Sequence, residues 1–373
     1  MLFADHRFPV LQSVWADVAL TIGEYMYKRL VPGDGQPYMN VKDMQVSEAQ
    51  VLHDGDSSHF IQIQGDLDMS LRQTQVTLYA ASADGTRKTD KAFARATVCY
   101  EDAQQWQAEW QTASHLVATR ARSLWQDASN DSSRVSRLSR GAVYQLFANV
   151  VAYAPRYRGM QRVALAEESQ EATADILLDD SRHGTWNTPP HWIDSTFQLA
   201  GLVMNAFGVQ GDDADSTWSS RDFFFITPGW RSFRLAEPLA PGPEVTYRNY
   251  VRMFPFDGEP GTFAGDIYLL RGERVVGMCA GIKFKRVPRA MMQIMFPRQT
   301  VKGNSGGRNP GISPASVNFT STTATGPSKR HANSNVQSLG LPAPVHSQKP
   351  IPVTASPEQE DDINAVPAPE PIS

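Results

Sequence analysis

Apolar residues over the first 300 positions repeat at two spacings, near 3.6 and near 2, and the two spacings alternate in the same order twice. Residues 13–30 (SVWADVALTIGEYMYKRL) carry a helical rhythm that Pro32 and Gly33 close. Strand-like runs follow at 38–46, 59–64, 74–80 and 92–100, the last two flanking Asp84 and Gly85, a tight-turn pair. A second long helix is expected over 191–207 (HWIDSTFQLAGLVMNAF), with Thr188 as N-cap, Pro189 at the first helical position and Gly208 as the stop. Strand-like runs come again at 223–227, 230–235, 245–254, 263–270 and 274–287; in the third, Val245, Tyr247, Val251 and Met253 share one face. Between the halves, Trp106, Trp110, Ala113, Val117 and Leu124 mark a connecting helix over 101–126, and 127–137 is a polar loop.

One buried helix wrapped by an antiparallel sheet, occurring twice, describes an α+β double hot-dog, although α+β arrangements of other topology would read similarly. The expected domains are an N-terminal hot-dog with its connecting helix (1–126) and a C-terminal hot-dog (138–297). Each long helix also carries Trp-x-Asp near its start, at Trp15 and Asp17 and at Trp192 and Asp194, a match short enough to arise by chance.

Composition changes the picture at the C-terminal end. Residues 301–373 hold eleven of the 25 prolines and a single aromatic, Phe319. A segment of that kind buries too little apolar surface to offset its ordering entropy, so a disordered Pro/Ser-rich linker or tail is expected. Charge changes it less. Lys+Arg 35 against Asp+Glu 39 leaves −4, which argues against a nucleic-acid or membrane-surface binder. Two cysteines, Cys99 and Cys279, cannot build a disulfide framework. No apolar run approaches the ~20 residues of a membrane span, and the N-terminus lacks the signs of a signal peptide. A cytoplasmic protein is expected.

The candidate chemistry lies on the second helix. Asp194 and Gln198 are one turn apart and share a face, continued by Gly201 and Asn205, while Ile193, Phe197, Ala200, Met204 and Phe207 form an apolar face. Burial would raise the Asp194 pKa, whereas a helix N-terminus and an amide donor would lower it, and a group so balanced is a candidate acid or base. The plainer alternative is an exposed Asp that stabilises its helix dipole. Of eight histidines, His331 and His346 lie in the tail, His53 and His183 in turn or loop sequences, His59 at a strand start and His115 on the connecting helix. His191 lies three residues before Asp194, either pairing with it or filling the first turn without a catalytic role. His6 precedes the first helix. No phosphate-binding loop, nucleophile elbow or zinc-protease motif is present. The cluster of Lys283, Lys285, Arg286 and Arg289 reads as a solvated strand end, or as a surface for an acidic carrier domain or a phosphopantetheine phosphate.

Several stretches carry a family likeness: 143–153 (VYQLFANVVAY), 157–161 (YRGMQ), 171–175 (EATAD), 190–195 (PHWIDS) with 198–201 (QLAG), 225–233 (FITPGWRSF), 281–288 (GIKFKRVP) and, in the first half, 13–20 (SVWADVAL). Over roughly residues 8–297 the chain resembles the product template domain of fungal non-reducing polyketide synthases. The resemblance implies a double hot-dog related to the dehydratase domains of fatty-acid and polyketide synthases. It also implies a poly-β-keto chain held as a thioester on the phosphopantetheine arm of an acyl carrier domain, and its regiospecific aldol cyclisation to an aromatic ring with loss of water. No cofactor or metal of its own is implied; the partners would be the carrier domain, other synthase modules and a second copy in a homodimer. The tail resembles the linker before a carrier domain, and the chain is expected to be a detached module or a partial gene product.

In that family a histidine of the first hot-dog is the base and an aspartate of the second hot-dog helix its partner. The aspartate carries over to Asp194, with Gln198 as an orienting, substrate-side amide. The family places the histidine in a His-x-Val-x-Gly-x-x-Leu-x-Pro stretch, and counting back from Trp15 puts its position at Leu2. Either His6 substitutes, or the histidine lies upstream of this sequence, or the base is absent. Two further readings stay open: a binding or scaffold module without the base, and a dehydratase acting on β-hydroxyacyl thioesters.

Overall fold

The computed structural model describes residues 7–291 apart from 10–11, 34, 54–59, 83, 131–133, 182–183 and 207–221. These residues belong to one compact unit, 1–320; a second unit, 321–373, and the expected tail lie outside the described residues.

The first half opens with a short strand, β1 (Arg7–Pro9), and the long helix α1 (Gln12–Leu30), then β2 (Tyr38–Val46), β3 (Val51–His53), β4 (Ile61–Asp68), β5 (Gln73–Ala80) and β6 (Ala94–Glu101). β1 pairs antiparallel with β3. The helix α2 (Ala103–Ser129) leads to the second half, where β7 (Ser136–Ser139), α3 (Arg140–Phe147), a 3-10 turn (Pro155–Tyr157), β8 (Met160–Ala166) and β9 (Glu171–Ile176) precede α4 (Pro190–Phe197) and α5 (Leu199–Asn205). The strands β10 (Phe223–Leu235), β11 (Tyr247–Pro255), β12 (Thr262–Arg271) and β13 (Arg274–Pro288) complete it.

Eleven strands form one continuous antiparallel sheet in the order β4-β5-β6-β2-β10-β13-β12-β11-β9-β8-β7. The halves meet where β2 pairs with β10, Val41 opposite Phe233 and Met44 opposite Trp230. α1 packs on β2, β4, β5 and β6, and α5 on β9 to β12, so each half wraps its own helix. One apolar core runs through both, from Trp15 and Leu20 on α1 to Leu199 and Val203 on α5. α2 covers the other face of the second-half strands, where Trp106 and Trp110 pack against Leu270, Val275 and Met278.

Three expectations need correction. The helix expected over 191–207 is two helices broken at Gln198, and the described part ends at Asn205, so the Gly208 stop lies outside the described residues. The helix begins at Pro190 with Pro189, not Thr188, before it: a residue preceding proline is driven to extended backbone, and Pro189 has φ −49° and ψ 126°. The runs at 223–227 and 230–235 are one strand, β10, carrying an irregularity in register between Ile226 and Gly229. Gly229 is required there. It has φ +152°, and a Cβ at this position would lie 1.7 Å from the Met44 carbonyl oxygen.

Candidate functional site

Where the two halves join, a chamber of about 270 Å³ opens between the helices and the sheet. Its walls are aromatic: Phe147 from α3, Phe197 from α4, and Phe225, Trp230 and Phe233 from β10, with Phe284 from β13. α1 contributes Gln12 and Ser13, and the Gln12 amide donates to the Thr227 carbonyl, tying the start of α1 to β10. Asn205 at the end of α5 holds Phe225 in both directions, accepting from its N–H at 2.8 Å and donating to its carbonyl at 3.0 Å. Gly201 leaves the floor open, since a Cβ there would reach only ordinary contact with Phe147 at 3.6 Å.

Asp194 projects from α4 into this chamber beside Gln198. The expected four-residue spacing is realised as contact: Gln198 Nε2 donates to Asp194 Oδ2 at 2.8 Å. The same nitrogen donates to the Tyr157 carbonyl at 2.9 Å, so both amide hydrogens are used. The Gln198 oxygen accepts from the Tyr144 hydroxyl, and that hydroxyl accepts the Met160 N–H at 3.0 Å. Burial pushes the Asp194 carboxyl up to about 7, against the Gln198 hydrogen bond, which pulls it down. An exposed, dipole-stabilising aspartate is therefore excluded. A carboxyl poised near neutrality in a half-open apolar chamber can give or take a proton.

Tyr153 also lines the chamber, packed edge-on against Tyr144 and Phe147, with its phenol held in the neutral form by burial and by the nearby Asp194 charge. Its hydroxyl makes no hydrogen bond among the described residues. The residue types gave no hint of Tyr153; its place in the pocket comes from the turn between α3 and β8. Lys285, from the basic cluster, lines the chamber as well, whereas Lys283 leaves it to pair with Glu259 at 2.9 Å and cover the Phe256 ring. Cys279 is a buried free thiol on the chamber wall, and Cys99 is buried in the first half.

Asp194 and Gln198 are thus brought together; His6 lies outside the described residues, as do His59 and His183. His191 is buried between the Tyr157 and Trp192 rings, at the Asp179 end of its helix, while the hydrogen-bond partner of Asp194 is Gln198. His115 is exposed on α2. Asp17, the other Trp-x-Asp carboxylate, is buried and accepts the Thr188 N–H at 2.8 Å, fastening the segment before α4 to α1. Burial raises it to about 6 against backbone hydrogen bonds from Thr188 and Asn187. Among the described residues no three His, Cys, Asp or Glu side chains cluster as metal ligands, and no helix is long and apolar enough to cross a membrane.

This architecture is shared with solved proteins. The dehydratase domain of the CurJ module of the curacin polyketide synthase superposes with a TM-score of 0.52 at 13% identity, covering 77% of this chain and 85% of that one. Two CurK dehydratase variants described as inactive mutants, an aspartate-to-asparagine and a histidine-to-phenylalanine replacement, superpose at 0.51 over the same shares, at 12% and 13% identity. The class is therefore an α+β fold resembling the dehydratase domains of polyketide synthases. No protein-family model matches the chain.

Sequence relatives narrow the class. The chain is 64% identical over 303 residues to the non-reducing polyketide synthase pkgA of Emericella nidulans, covering 78% of this chain and 16% of that protein. It is 46% identical over 297 residues to the non-reducing polyketide synthase nscA of Arthroderma otae, 79% of this chain and 16% of that one. With nscA of Aspergillus fumigatus the identity is 41% over 354 residues, 94% of this chain and 19% of that one, so this match reaches past the described residues. The chain spans less than a fifth of these relatives. It corresponds to one region of the fungal non-reducing polyketide synthases, and a product template domain fits both that region and the fold.

Proposed function

We propose that this domain folds a poly-β-keto chain, delivered as a carrier-bound thioester, and directs its aldol cyclisation and dehydration toward an aromatic ring. The observation that carries the reading is the aromatic chamber with, among the described residues, one carboxylate on its wall, raised to about 7 and oriented by Gln198. Cyclisation requires a proton to leave the carbon between two carbonyls and another to reach the oxygen of the ketone that is attacked. Asp194 supplies one of these transfers, and the unpartnered Tyr153 hydroxyl supplies a hydrogen bond to the ketone oxygen as charge develops there. The aromatic walls hold the chain folded so that the two carbons meet, a proximity effect worth several kcal/mol and up to about 11 at best.

In this reading the base is an imidazole of the first half, His6. Its support is that the segment directly following His6 pairs with β3 and then reaches the chamber at Gln12 and Ser13. The phosphopantetheine arm enters beside Lys285, and the carrier domain and the other synthase modules are the partners. The test presents a carrier-bound poly-β-ketone to the domain. Wild type is expected to give one dominant ring pattern and Asp194→Asn the spontaneous mixture; identical mixtures from both would sink the mechanism.

The likeness to polyketide synthase dehydratases favours one second reading, dehydration of a simple β-hydroxyacyl thioester by the same carboxyl. Turnover of a short β-hydroxyacyl carrier without cyclisation of the poly-ketone would decide for it.

A further inference from the structure

The hydrogen bonds behind Asp194 run in one direction only. The Met160 N–H can only donate, so the Tyr144 oxygen accepts it at 3.0 Å and the phenolic hydrogen must be used elsewhere. It goes to Gln198 Oε1. The Tyr157 carbonyl can only accept, which fixes the Gln198 nitrogen on its side at 2.9 Å and leaves the second N–H for Asp194 Oδ2 at 2.8 Å. Each member of the chain from Met160 to Asp194 has a forced sense, and Oδ2 is always an acceptor.

We infer that Tyr144 is a positioning residue: by holding the Gln198 amide as a donor, it confines the exchangeable proton of Asp194 to Oδ1, the oxygen left for substrate. Tyr144 touches no reacting atom. It is buried on α3, packed on Phe147 and Tyr153, and closes the far end of the relay. Without its hydroxyl the Gln198 oxygen loses its donor inside the protein, while the Tyr157 carbonyl still holds the amide nitrogen on its side. An amide no longer polarised through its oxygen is a weaker donor to Oδ2, which favours the protonated acid and loosens the hold that keeps the proton on Oδ1. The titratable and charged groups on the surrounding elements are Asp17 on α1, Tyr153 and Tyr157 before β8, His191 on α4, and Cys279 and Lys285 on β13, with Arg140 and Arg158 beside Tyr144. Each is unchanged in a Tyr144→Phe protein.

The inference rests on the proposed acid–base role of Asp194, but its test has a readout independent of turnover. The Asp194 carboxyl is followed by 13C NMR against pH, assigned by its loss in Asp194→Asn. Tyr144→Phe is expected to move the Asp194 midpoint upward by about one pH unit and lower kcat about tenfold with KM unchanged. Replacing Tyr144 with a ring-fluorinated tyrosine, a more acidic donor of nearly the same shape, is expected to move the midpoint downward. This second arm decides the matter if Tyr144→Phe does not fold. An unmoved midpoint in the fluorinated protein, or in folded Tyr144→Phe, overturns the role of Tyr144. A moved midpoint with no catalysis in wild type overturns the proposed reaction and leaves the relay standing.

Discussion

Replacing Asp194 with asparagine should make the folded domain more stable at alkaline pH while removing its proposed activity. Asparagine keeps the shape, and its carbonyl can still accept from Gln198, so the perturbation is the charge alone. The carboxyl is raised from 3.8 to about 7 by burial, a shift of about three units, or about 4 kcal/mol at 1.36 kcal/mol per unit. For an acid whose folded pKa lies above its unfolded one, the folded state holds a proton that the unfolded chain has released. Stability therefore falls as pH rises from about 4 to about 7, and the full cost is present above 7. The gap in favour of Asp194→Asn should reach up to about 4 kcal/mol at pH 8.5, shrink to about 2 kcal/mol near pH 5 and nearly vanish at pH 4. Asp17 titrates in an overlapping window, but it is common to both proteins and cancels in the difference. Denaturant unfolding at these three pH values reads the gap directly, and at about 2 °C per kcal/mol the thermal midpoint should differ by up to about 8 °C at pH 8.5. Equal stability at pH 8.5, or a gap independent of pH, would refute the burial of a charge-bearing Asp194.

Removing the unpartnered phenol with Tyr153→Phe should leave stability within about 0.5 kcal/mol, since no hydrogen bond within the protein is lost, and lower kcat by about tenfold to a hundredfold; stability curves and single-turnover kinetics check the two halves of that statement. At the chamber floor, Gly201→Ala should be tolerated, because its Cβ meets Phe147 at 3.6 Å, whereas Gly201→Leu should fill the cavity and shift products toward shorter or uncyclised chains, read by product analysis. Gly229→Ala should destabilise the domain by about 3 kcal/mol or more, since its Cβ would overlap the Met44 carbonyl at the seam between β2 and β10; equilibrium unfolding measures it.

The sequence made one part of the sheet readable and hid another for a single physical reason. Strands with one solvated face alternate, and β11 was legible from that alternation. β9 is buried at all six positions and β8 at most of its seven, because α2 covers the face that would otherwise be wet. Neither alternates, so neither was read as a strand, although stretches that carried the family likeness overlap both. Pro228 and Gly229 looked like terminators and are a bend inside one strand, since only the close approach of Met44 on a distant strand gives the glycine its purpose. The pairing of Asp194 with Gln198 was visible because it is local, one helical turn. Tyr144 and Tyr153 were not, because their approach to Asp194 depends on how α3 and the turn after it pack against α4.

The two Trp-x-Asp motifs show how far local sequence reaches toward function. Trp15 and Trp192 are both buried near the starts of their helices, and Asp17 and Asp194 are both raised by burial, so the motif does the same thing twice at the level of the fold. The outcomes diverge four residues on. After Asp194 that position is Gln198, turned inward and locked by Tyr144 and the Tyr157 carbonyl. After Asp17 it is Thr21, which is exposed to solvent. Asp17 finds its donors instead in the backbone of residues 187 and 188, in the other half of the molecule. One carboxylate is spent on joining the halves and placing the start of α4; the other, on the helix so placed, keeps an oxygen for the chamber. A buried acid at the start of each long helix thus becomes a structural clasp in one half and a candidate proton carrier in the other, and the deciding difference is whether its amide partner comes with the helix.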